Sequence, residues 1–209
     1  MRKVKMILGL VVLTGVLAGC SKSDPTPALV AVTFKNLSAD PPSGGYNPTN
    51  GAPIGVTNKY TFFSFATGAI VANSDSASTK WDIGFNGTKI IINSGTSGPG
   101  SAAALVVTGI FSELNTAPDT GYLTDNSATA TYAITRGSGK GWYNYDPSTN
   151  LISPIAGRVI MVKTSAGKYA KMEIISYYKD APASPTATST DRYYTFRYLY
   201  QPDGSKKLQ

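Results

Sequence analysis

The chain has 209 residues, a formal net charge of +7, one cysteine and no histidine. Without histidine it cannot hold a Ser-His-Asp or Cys-His catalytic system or a zinc site built on imidazole, and the usual general base near neutral pH is missing. Charged residues make up 15% of the chain, whereas about 25% is usual for globular domains. Glycine, proline and tyrosine are abundant instead, which is typical of a secreted protein with many strands and turns.

The first twenty residues predict the compartment. A short positive region, Met1–Lys5, precedes an apolar run, Met6–Leu17, that is too short to span a bilayer comfortably. Leu17-Ala18-Gly19-Cys20 has the pattern of a lipobox, so we predict that residues 1–19 are a lipoprotein signal peptide and that Cys20 is lipidated. An ordinary secretory signal with a chance cysteine and an uncleaved anchor helix are the alternatives.

The mature chain is expected to form one domain on a lipid tether. The leader carries three of the 19 basic residues, which leaves 16 basic against 12 acidic residues and a net charge of +4. This mild charge does not indicate a nucleic-acid partner. We predict a polar, proline-containing tether over residues 20–28 and one domain over residues 29–209. Because lipid would consume Cys20, the domain has no disulfide and no thiolate chemistry.

Apolar alternation and turn residues predict strands in the first part of the chain. A first strand is expected over Leu29–Leu37, with Val30, Val32 and Phe34 on one face. Ser38–Thr57, rich in proline, glycine and asparagine, predicts a long surface loop. Further strands are expected over residues 58–66 and 69–72.

A hairpin around Asn86-Gly87 is the strongest local signal. Trp81, Ile83 and Phe85 alternate with small or polar residues, which predicts a strand with one large apolar face. Asn-Gly predicts a type I′ turn, because both of its central residues need positive φ. The β-branched run Thr88–Ile92 then supplies the second strand.

The second half of the chain continues the strand pattern. Ile110–Thr116 is the one stretch that could form a short helical turn, and Arg136–Gly141 is predicted as a flexible basic loop. The last strand, Arg192–Gln201, places four aromatic side chains on one face. Other strands are expected over residues 102–107, 128–135, 142–145, 151–155, 158–163 and 168–178, with a proline-containing loop over 180–190. The predicted class is therefore all-β, built of antiparallel hairpins.

Two groups of residues could carry function. Glycoside hydrolysis needs only two suitably spaced carboxylates, and the candidates are Asp82, Glu113, Asp146 and Glu173, although turn formation and solvation explain them better. The second group is aromatic and consists of Trp142, Tyr143 and Tyr145, between the basic glycine loop and an Asp-Pro turn. These residues are either packed in the core or form a platform for a planar ligand or a sugar.

At these aromatic residues the chain resembles the HmuY-like haem-binding lipoproteins of Gram-negative bacteria. The resemblance covers roughly Lys59 to Asp203. It is carried by the order and spacing of several short segments: Tyr60–Phe65, Thr79–Ile83, Phe111 through Tyr122, Gly141–Tyr143, Gly157–Ile160, Lys168–Met172, Ser176–Tyr178 and Tyr194–Tyr198.

The resemblance implies a hand-like, all-β, non-enzymatic protein that is anchored to the outer membrane by its lipid. Members of the family hold haem b between strand-borne loops and, like haemophores, pass it to a TonB-dependent receptor for iron acquisition. Haem or another porphyrin, that receptor and the membrane are thus the implied partners. A family member that has lost haem ligation and binds another ligand, such as a glycan at the cell surface, is the alternative.

The family binds iron through two axial side chains, histidines or methionines, and this chain has neither at the corresponding positions. Neither Tyr143–Asn150 nor Arg136–Gly141 contains them. Tyrosinate is the remaining ligand type with precedent. The resemblance therefore implies Tyr145 as the haem-iron ligand, with Tyr143 second.

The same resemblance implies the remaining site residues. Arg136 and Lys140 would pair with the propionates, and Trp142 would belong to the aromatic platform for the planar ligand. Met161 and Met172 fall on apolar strand positions, so they are expected to pack in the core.

Overall fold

The computed structural model describes residues 28–209. The predicted signal peptide, the lipidation of Cys20 and all but the last residue of the predicted tether lie outside the described residues. Within that range no helix is long and apolar enough to cross a membrane.

Nearly all regular structure in residues 28–209 is β-strand, which confirms the all-β prediction. The strands are β1 Val32–Ser38, β2 Thr61–Ser64, β3 Ala69–Val71, β4 Ile83–Asn86, β5 Lys89–Ile92, β6 Ala103–Thr108, β7 Tyr143–Asp146, β8 Leu151–Pro154, β9 Arg158–Lys163, β10 Tyr169–Tyr178 and β11 Asp191–Gln201. A single 3₁₀ turn, Asn73–Asp75, accompanies them in this range.

The strands form three antiparallel sheets. The largest has the order β1-β11-β10-β9-β6, a second has the order β3-β2-β4-β5, and β7 pairs with β8 alone. Each pairing of β2 through β5 joins strands that are near in sequence, as short connections favour. The first and last strands, β1 and β11, pair with each other, so segments near the two ends of the described chain meet in one sheet.

The main core lies between the five-stranded and four-stranded sheets and is largely aromatic. Phe196 on β11 is fully buried and lies within 6 Å of the rings of Phe34, Phe63 and Phe85. The predicted aromatic face of the last strand is thus the centre of the core. Packing of two sheets through such interdigitated side chains is the usual arrangement in β-sandwiches.

A smaller core covers the outer face of the five-stranded sheet. Phe111 and Leu208 pack there against Met161 and other residues of β9 and β11. The ammonium group of Lys171 is buried beneath the covering segment and donates to the carbonyl oxygens of Phe111 (2.8 Å) and Leu114 (3.0 Å). Met161 and Met172 are both buried, as expected from their strand positions.

Trp81 lies on a different side from the one predicted. Ile83 and Phe85 enter the main core, whereas Trp81 packs with Phe62 and Ile91 on the opposite face of the four-stranded sheet. The alternation fails because β4 begins only at Ile83 and Trp81 lies in the preceding irregular segment.

The turn of the same hairpin is shifted by one residue. Asn86 pairs with Lys89, so the loop consists of Gly87 and Thr88, and of these two only Gly87 has positive φ (51°). A glycine at the first central position is the requirement of a type II′ turn, not of the predicted type I′ turn.

Two other predictions have different outcomes. Residues 110–116 hold a single turn, closed by the amide of Leu114 donating to the carbonyl oxygen of Ile110 (3.2 Å), and no longer helix. Residues 128–135 form no strand and take part in only one isolated bridge, Asn126↔Thr131. Buried Asp125 explains why this strand is missing. Its carboxylate accepts from the amides of Ile92 (3.0 Å) and Ala133 (2.9 Å), which folds this segment back on itself instead of extending it.

Candidate functional site

A cleft of about 710 Å³ lies where three segments that connect or extend the strands come together. The first is the loop that follows β1 and contributes residues 46–51. The second is the β7–β8 hairpin, and the third is the segment that leads into β11, residues 186–192. The volume is within the range of small-molecule and cofactor sites, about 300–1,000 Å³.

The first segment belongs to the long surface loop that its turn-forming composition predicts, and the structure shows that this loop is closed at its base. At its base the carboxylate of Asp40 accepts from the amides of Thr57 (2.8 Å) and Asn58 (2.7 Å), which joins the two ends of the loop. Burial raises the pKa of Asp40, but the hydrogen bonds from Thr57, Asn58 and Asn86 lower it by more, so its net pKa lies below the ordinary value. Loops with joined ends of this kind are compact and are frequently functional.

Tyr46 extends from this loop into the cleft. Its ring is 44% exposed, and its hydroxyl donates to the carboxylate of Asp191. Burial and the neighbouring Asp191 raise the pKa of Tyr46 to about 12. The sequence prediction missed Tyr46 as a site residue. The sequence signal that could have identified Tyr46 is its position as an isolated aromatic residue in a long loop rich in glycine, proline and asparagine, because long loops in compact domains are often functional.

Tyr145, for which the resemblance implies the role of iron ligand, also lines the cleft. It is 42% exposed, and its hydroxyl donates to the amide oxygen of Asn150 (2.7 Å) across the turn between β7 and β8. Its backbone amide donates to the hydroxyl of Ser138 (2.8 Å). The predicted hairpin therefore presents a partly exposed phenol group to the cleft.

Tyr143 and Trp142 lie in the core instead. Tyr143 shares a face of β7 with Tyr145, but the strand extends beyond the core, so Tyr143 is buried and Tyr145 is not. Trp142 is 2% exposed; its indole nitrogen donates to the carbonyl of Thr88 (3.0 Å), and its ring lies 5.7 Å from that of Tyr177 in the floor of the cleft. Trp142 therefore supports the floor from below and offers no free face for a planar ligand.

The predicted basic residues do not line the cleft either. The guanidinium of Arg136 lies over the ring of Tyr132, 3.5 Å from its centre, and Lys140 is exposed on the loop before β7. The positively charged residue in the lining of the cleft is Arg192, whose guanidinium donates to the carbonyl oxygen of Asp40 (3.0 Å). The sequence prediction placed Arg192 only as the start of the last strand.

The floor of the cleft carries two further tyrosines that are nearly inaccessible. Burial raises the pKa of both Tyr177 and Tyr178 above the ordinary value. The hydroxyl oxygen of Tyr178 accepts from the amide of Ile152 (2.9 Å), which fixes β8 against β10. Because both side chains are buried, Tyr46 and Tyr145 are the phenols through which the cleft can contact a ligand.

The candidate carboxylates do not assemble into a pair. Asp82 is buried and accepts from the amides of Phe65 (2.9 Å) and Ser165 (3.0 Å), whereas Glu173 pairs with Arg197 and Asp146 caps its own turn. None of these three lines the cleft, and neither does Glu113. Each carboxylate whose contacts are described thus has a structural role.

A comparison with known protein families identifies the family of this chain. The family model described as HmuY protein matches residues 56–198, more than half of the chain. The chain belongs to the HmuY family. The match confirms the resemblance that the sequence segments indicate, and it includes β2 through β10 together with most of β11. The search of curated proteins found no match.

Solved structures resemble the chain at low sequence identity. The crystal structure of the apo HmuY analogue of Tannerella forsythia has a TM-score of 0.54 at 13% identity, and the match covers 86% of this chain and 100% of that one. A candidate HmuY-like haem-binding protein of Bacteroides vulgatus has a TM-score of 0.48 at 17% identity, with coverage of 85% and 94%. A candidate lipoprotein of Bacteroides fragilis has a TM-score of 0.45 at 16% identity, with coverage of 68% and 84%. Of these three, the first supports a common fold with the HmuY family.

Proposed function

We propose that the protein is a haem- or porphyrin-binding lipoprotein that is anchored to the outer membrane through Cys20 and delivers haem to a TonB-dependent receptor. The observation that carries the proposal is the cleft of this member of the HmuY family. Two partly exposed tyrosines, Tyr46 and Tyr145, line that cleft. The role is binding and transport, not catalysis.

The chemistry of the cleft fits haem through oxygen ligands. The chain has no histidine, and Met161 and Met172 are buried away from the cleft. Tyr145 is therefore proposed as an iron ligand, because phenolate is an established axial ligand of ferric haem. Arg192 is the cation in the lining, and a guanidinium can pair with a propionate carboxylate. It takes the role that the resemblance implies for Arg136 and Lys140.

Attachment to the membrane is proposed from the first part of the sequence. Leu17-Ala18-Gly19-Cys20 would supply the acyl chains, and several chains together hold a protein on a membrane far more firmly than one. Leu29 packs against the outer core, so the chain that follows the tether is fixed to the domain from its first residues.

The proposal is tested by titrating haem into the chain from Ser21 to Gln209 and following absorbance. A saturable one-to-one change in the Soret band is expected, together with a ferric phenolate charge-transfer band that changes in Tyr145→Phe. A difference spectrum no larger than that of free haem would refute haem binding. An unchanged charge-transfer band in Tyr145→Phe would remove Tyr145 as a ligand.

A glycan is the second candidate ligand, and the polar lining of the cleft favours it. The amide side chains of Asn47, Asn50 and Asn150 and the hydroxyl of Thr186 line the cleft together with the two exposed tyrosine rings. Such rings and amides suit the faces and hydroxyls of sugars. A chain that gives no haem signal but binds an oligosaccharide on a glycan array, with loss of binding in Tyr46→Ala, would favour this function.

A further inference from the structure

The loop between Asp40 and Thr57 is tied to the domain at its base. The carboxylate of Asp40 accepts there from the amides of Thr57 (2.8 Å) and Asn58 (2.7 Å). The carbonyl oxygen of Asp40 accepts from the guanidinium of Arg192 (3.0 Å), which ties the base to β11. Of residues 41–56, all of which the structure describes, none is buried. Because this stretch adds no buried side chain to the core, its position depends on its hydrogen bonds.

Residues 41–56 are bonded mainly to one another. Backbone hydrogen bonds join the two sides of the stretch, such as the one from the amide of Gly44 to the carbonyl oxygen of Ile54 (3.0 Å). In the part of the chain that the structure describes, one hydrogen bond joins this stretch to the rest of the domain: the Tyr46 hydroxyl donates to the Asp191 carboxylate. A unit with internal bonds and one outside bond moves as a whole when the outside bond breaks.

The base of the stretch has the geometry of a fixed pivot. Asp40 and Asn58 both lie in the left-handed region of the backbone, each with φ of 59°. Aspartate and asparagine tolerate this conformation better than most residues do. Since the Asp40 carboxylate also bonds the amide of Asn58, the two ends stay together whatever the position of the stretch between them.

The single outside bond joins two walls of the cleft. One wall is the tip of the stretch, which contributes Tyr46, Asn47, Pro48, Asn50 and Gly51. The other wall is the segment that leads into β11, to which Asp191 belongs. When this bond breaks, the two walls can separate and the cleft widens.

We infer that residues 41–56 form a lid on the cleft, and that the hydrogen bond between Tyr46 and Asp191 is its latch. The lid pivots at the base held by Asp40, and a ligand enters or leaves while the latch is open. The inference rests on the proposed function for what enters the cleft, whereas the motion is a property of the chain without ligand.

The latch is suited to repeated opening. A hydrogen bond to a carboxylate is stronger than one between neutral groups, so it holds the lid closed for most of the time. The ring of Tyr46 is nevertheless partly exposed, so water can replace either partner when the bond breaks. Lids of this kind open on a timescale of microseconds to milliseconds.

Spin labels measure the position of the lid. The chain from Ser21 to Gln209 contains no cysteine, so labels on Thr49→Cys and Ala187→Cys report one distance from the tip of the lid to the wall opposite. Both positions are exposed. Tyr46→Phe keeps the ring and removes the latch, and it is expected to increase the population of long distances by about threefold or more, because a bond to a charged group is lost.

The matched control for this measurement is Ser43→Ala. It removes one exposed hydrogen bond inside the lid, from the hydroxyl of Ser43 to the carbonyl oxygen of Gly55 (3.2 Å), and leaves the latch in place. The distance distribution of the control is therefore expected to match that of wild type. Thermal unfolding of each variant verifies that the fold is retained.

A double-variant cycle tests the latch itself. Asp191→Ala is expected to open the lid to the same extent as Tyr46→Phe, and the double variant is expected to open it no further, because both substitutions remove the same bond. If the effects of the two single variants add, the side chains act separately and no latch joins them.

Stopped-flow mixing with haem tests whether the lid controls entry. Tyr46→Phe is expected to raise both the association rate and the dissociation rate of haem by about threefold or more, because a closed lid delays passage in both directions. The equilibrium affinity should change by less than either rate. Ser43→Ala should keep the wild-type rates.

The outcomes separate this inference from the proposed function. A Tyr46→Phe chain with the wild-type distance distribution overturns the lid and its latch. A lid that opens in this variant while the haem rates stay unchanged overturns the role of the lid in ligand entry. A wild-type chain that binds no haem refutes the proposed function, and the spin-label distances then still decide whether the lid exists.

Discussion

Replacement of Asp125 by asparagine tests what holds the chain between β6 and β7. The side chain of Asp125 is 1% exposed, and its two carboxylate oxygens accept from the amides of Ile92 (3.0 Å) and Ala133 (2.9 Å). Asparagine keeps the shape of aspartate but turns an NH₂ group toward one of these amides. One buried amide is then left without an acceptor.

The size of the effect follows from these two bonds. A hydrogen bond to a charged group contributes about 1.5–3 kcal/mol, and a buried group left without a partner costs about 1–3 kcal/mol. Asp125→Asn is therefore expected to lower the free energy of unfolding by about 2–3 kcal/mol, and Asp125→Ala by about 3–5 kcal/mol. Domains of this kind have a total stability of about 5–15 kcal/mol, so either loss is large.

Urea unfolding followed by circular dichroism measures the change. With a slope of about 2–3 kcal/mol per molar urea, the midpoint of Asp125→Asn should fall by roughly 1 M. The matched control is Asp119→Asn, because Asp119 is highly exposed and forms a surface ion pair with Lys206, and the substitution should leave the midpoint unchanged. If Asp125→Asn unfolds at the wild-type midpoint, the two amides do not depend on the carboxylate and the explanation given for this segment is wrong.

Three further predictions follow from the core, the loop and the cleft. Phe196→Ala should lower the free energy of unfolding by about 3–5 kcal/mol, measured in the same urea assay, because it opens a cavity at the centre of the aromatic core. The folded-state pKa of Asp40 is lowered, so the contribution of Asp40 to stability is present above about pH 4 and is lost as the pH falls through that pKa. Below about pH 4 the urea midpoint of wild type should therefore fall more steeply than that of Asp40→Asn, and parallel profiles would contradict this. In haem titrations, Arg192→Gln should weaken binding about tenfold while Arg136→Gln changes nothing, since only Arg192 lines the cleft; the reverse order would place the propionates at Arg136.

Local patterns predicted most strands because each strand carries its own signal. The β9–β10 hairpin lies where Thr164–Gly167 predicts it, and the aromatic alternation of β11 matches its buried face. The error over residues 128–135 arises where a buried side chain and a distant partner decide the local structure. These residues alternate like a strand, but the carboxylate of Asp125 binds the amide of Ala133 and also that of Ile92 on β5, and apolar alternation does not show either contact.

The same limit applies to the site. Tyr145 could be named because it lies beside the segment that carries the family resemblance, but Tyr46 and Arg192 are 146 residues apart in sequence and meet only because loop and strand fold together. The sequence also could not decide whether Trp142 is buried, since the same local sequence is compatible with a tryptophan that faces the cleft and with one that supports its floor. Its ring contacts with Tyr177 and Tyr194 decide between these two positions.

The division between an aromatic core and a cleft made largely of loops bears on how such a protein changes during evolution. The residues that set the fold, such as Phe63 and Phe196, lie between the sheets, whereas Tyr46 lies on a loop that is closed at its own base. Substitutions in that loop can replace one ligand chemistry by another without a cost to the core. A lineage can therefore retain the scaffold at 13% identity to a solved relative while the residues that line its cleft diverge.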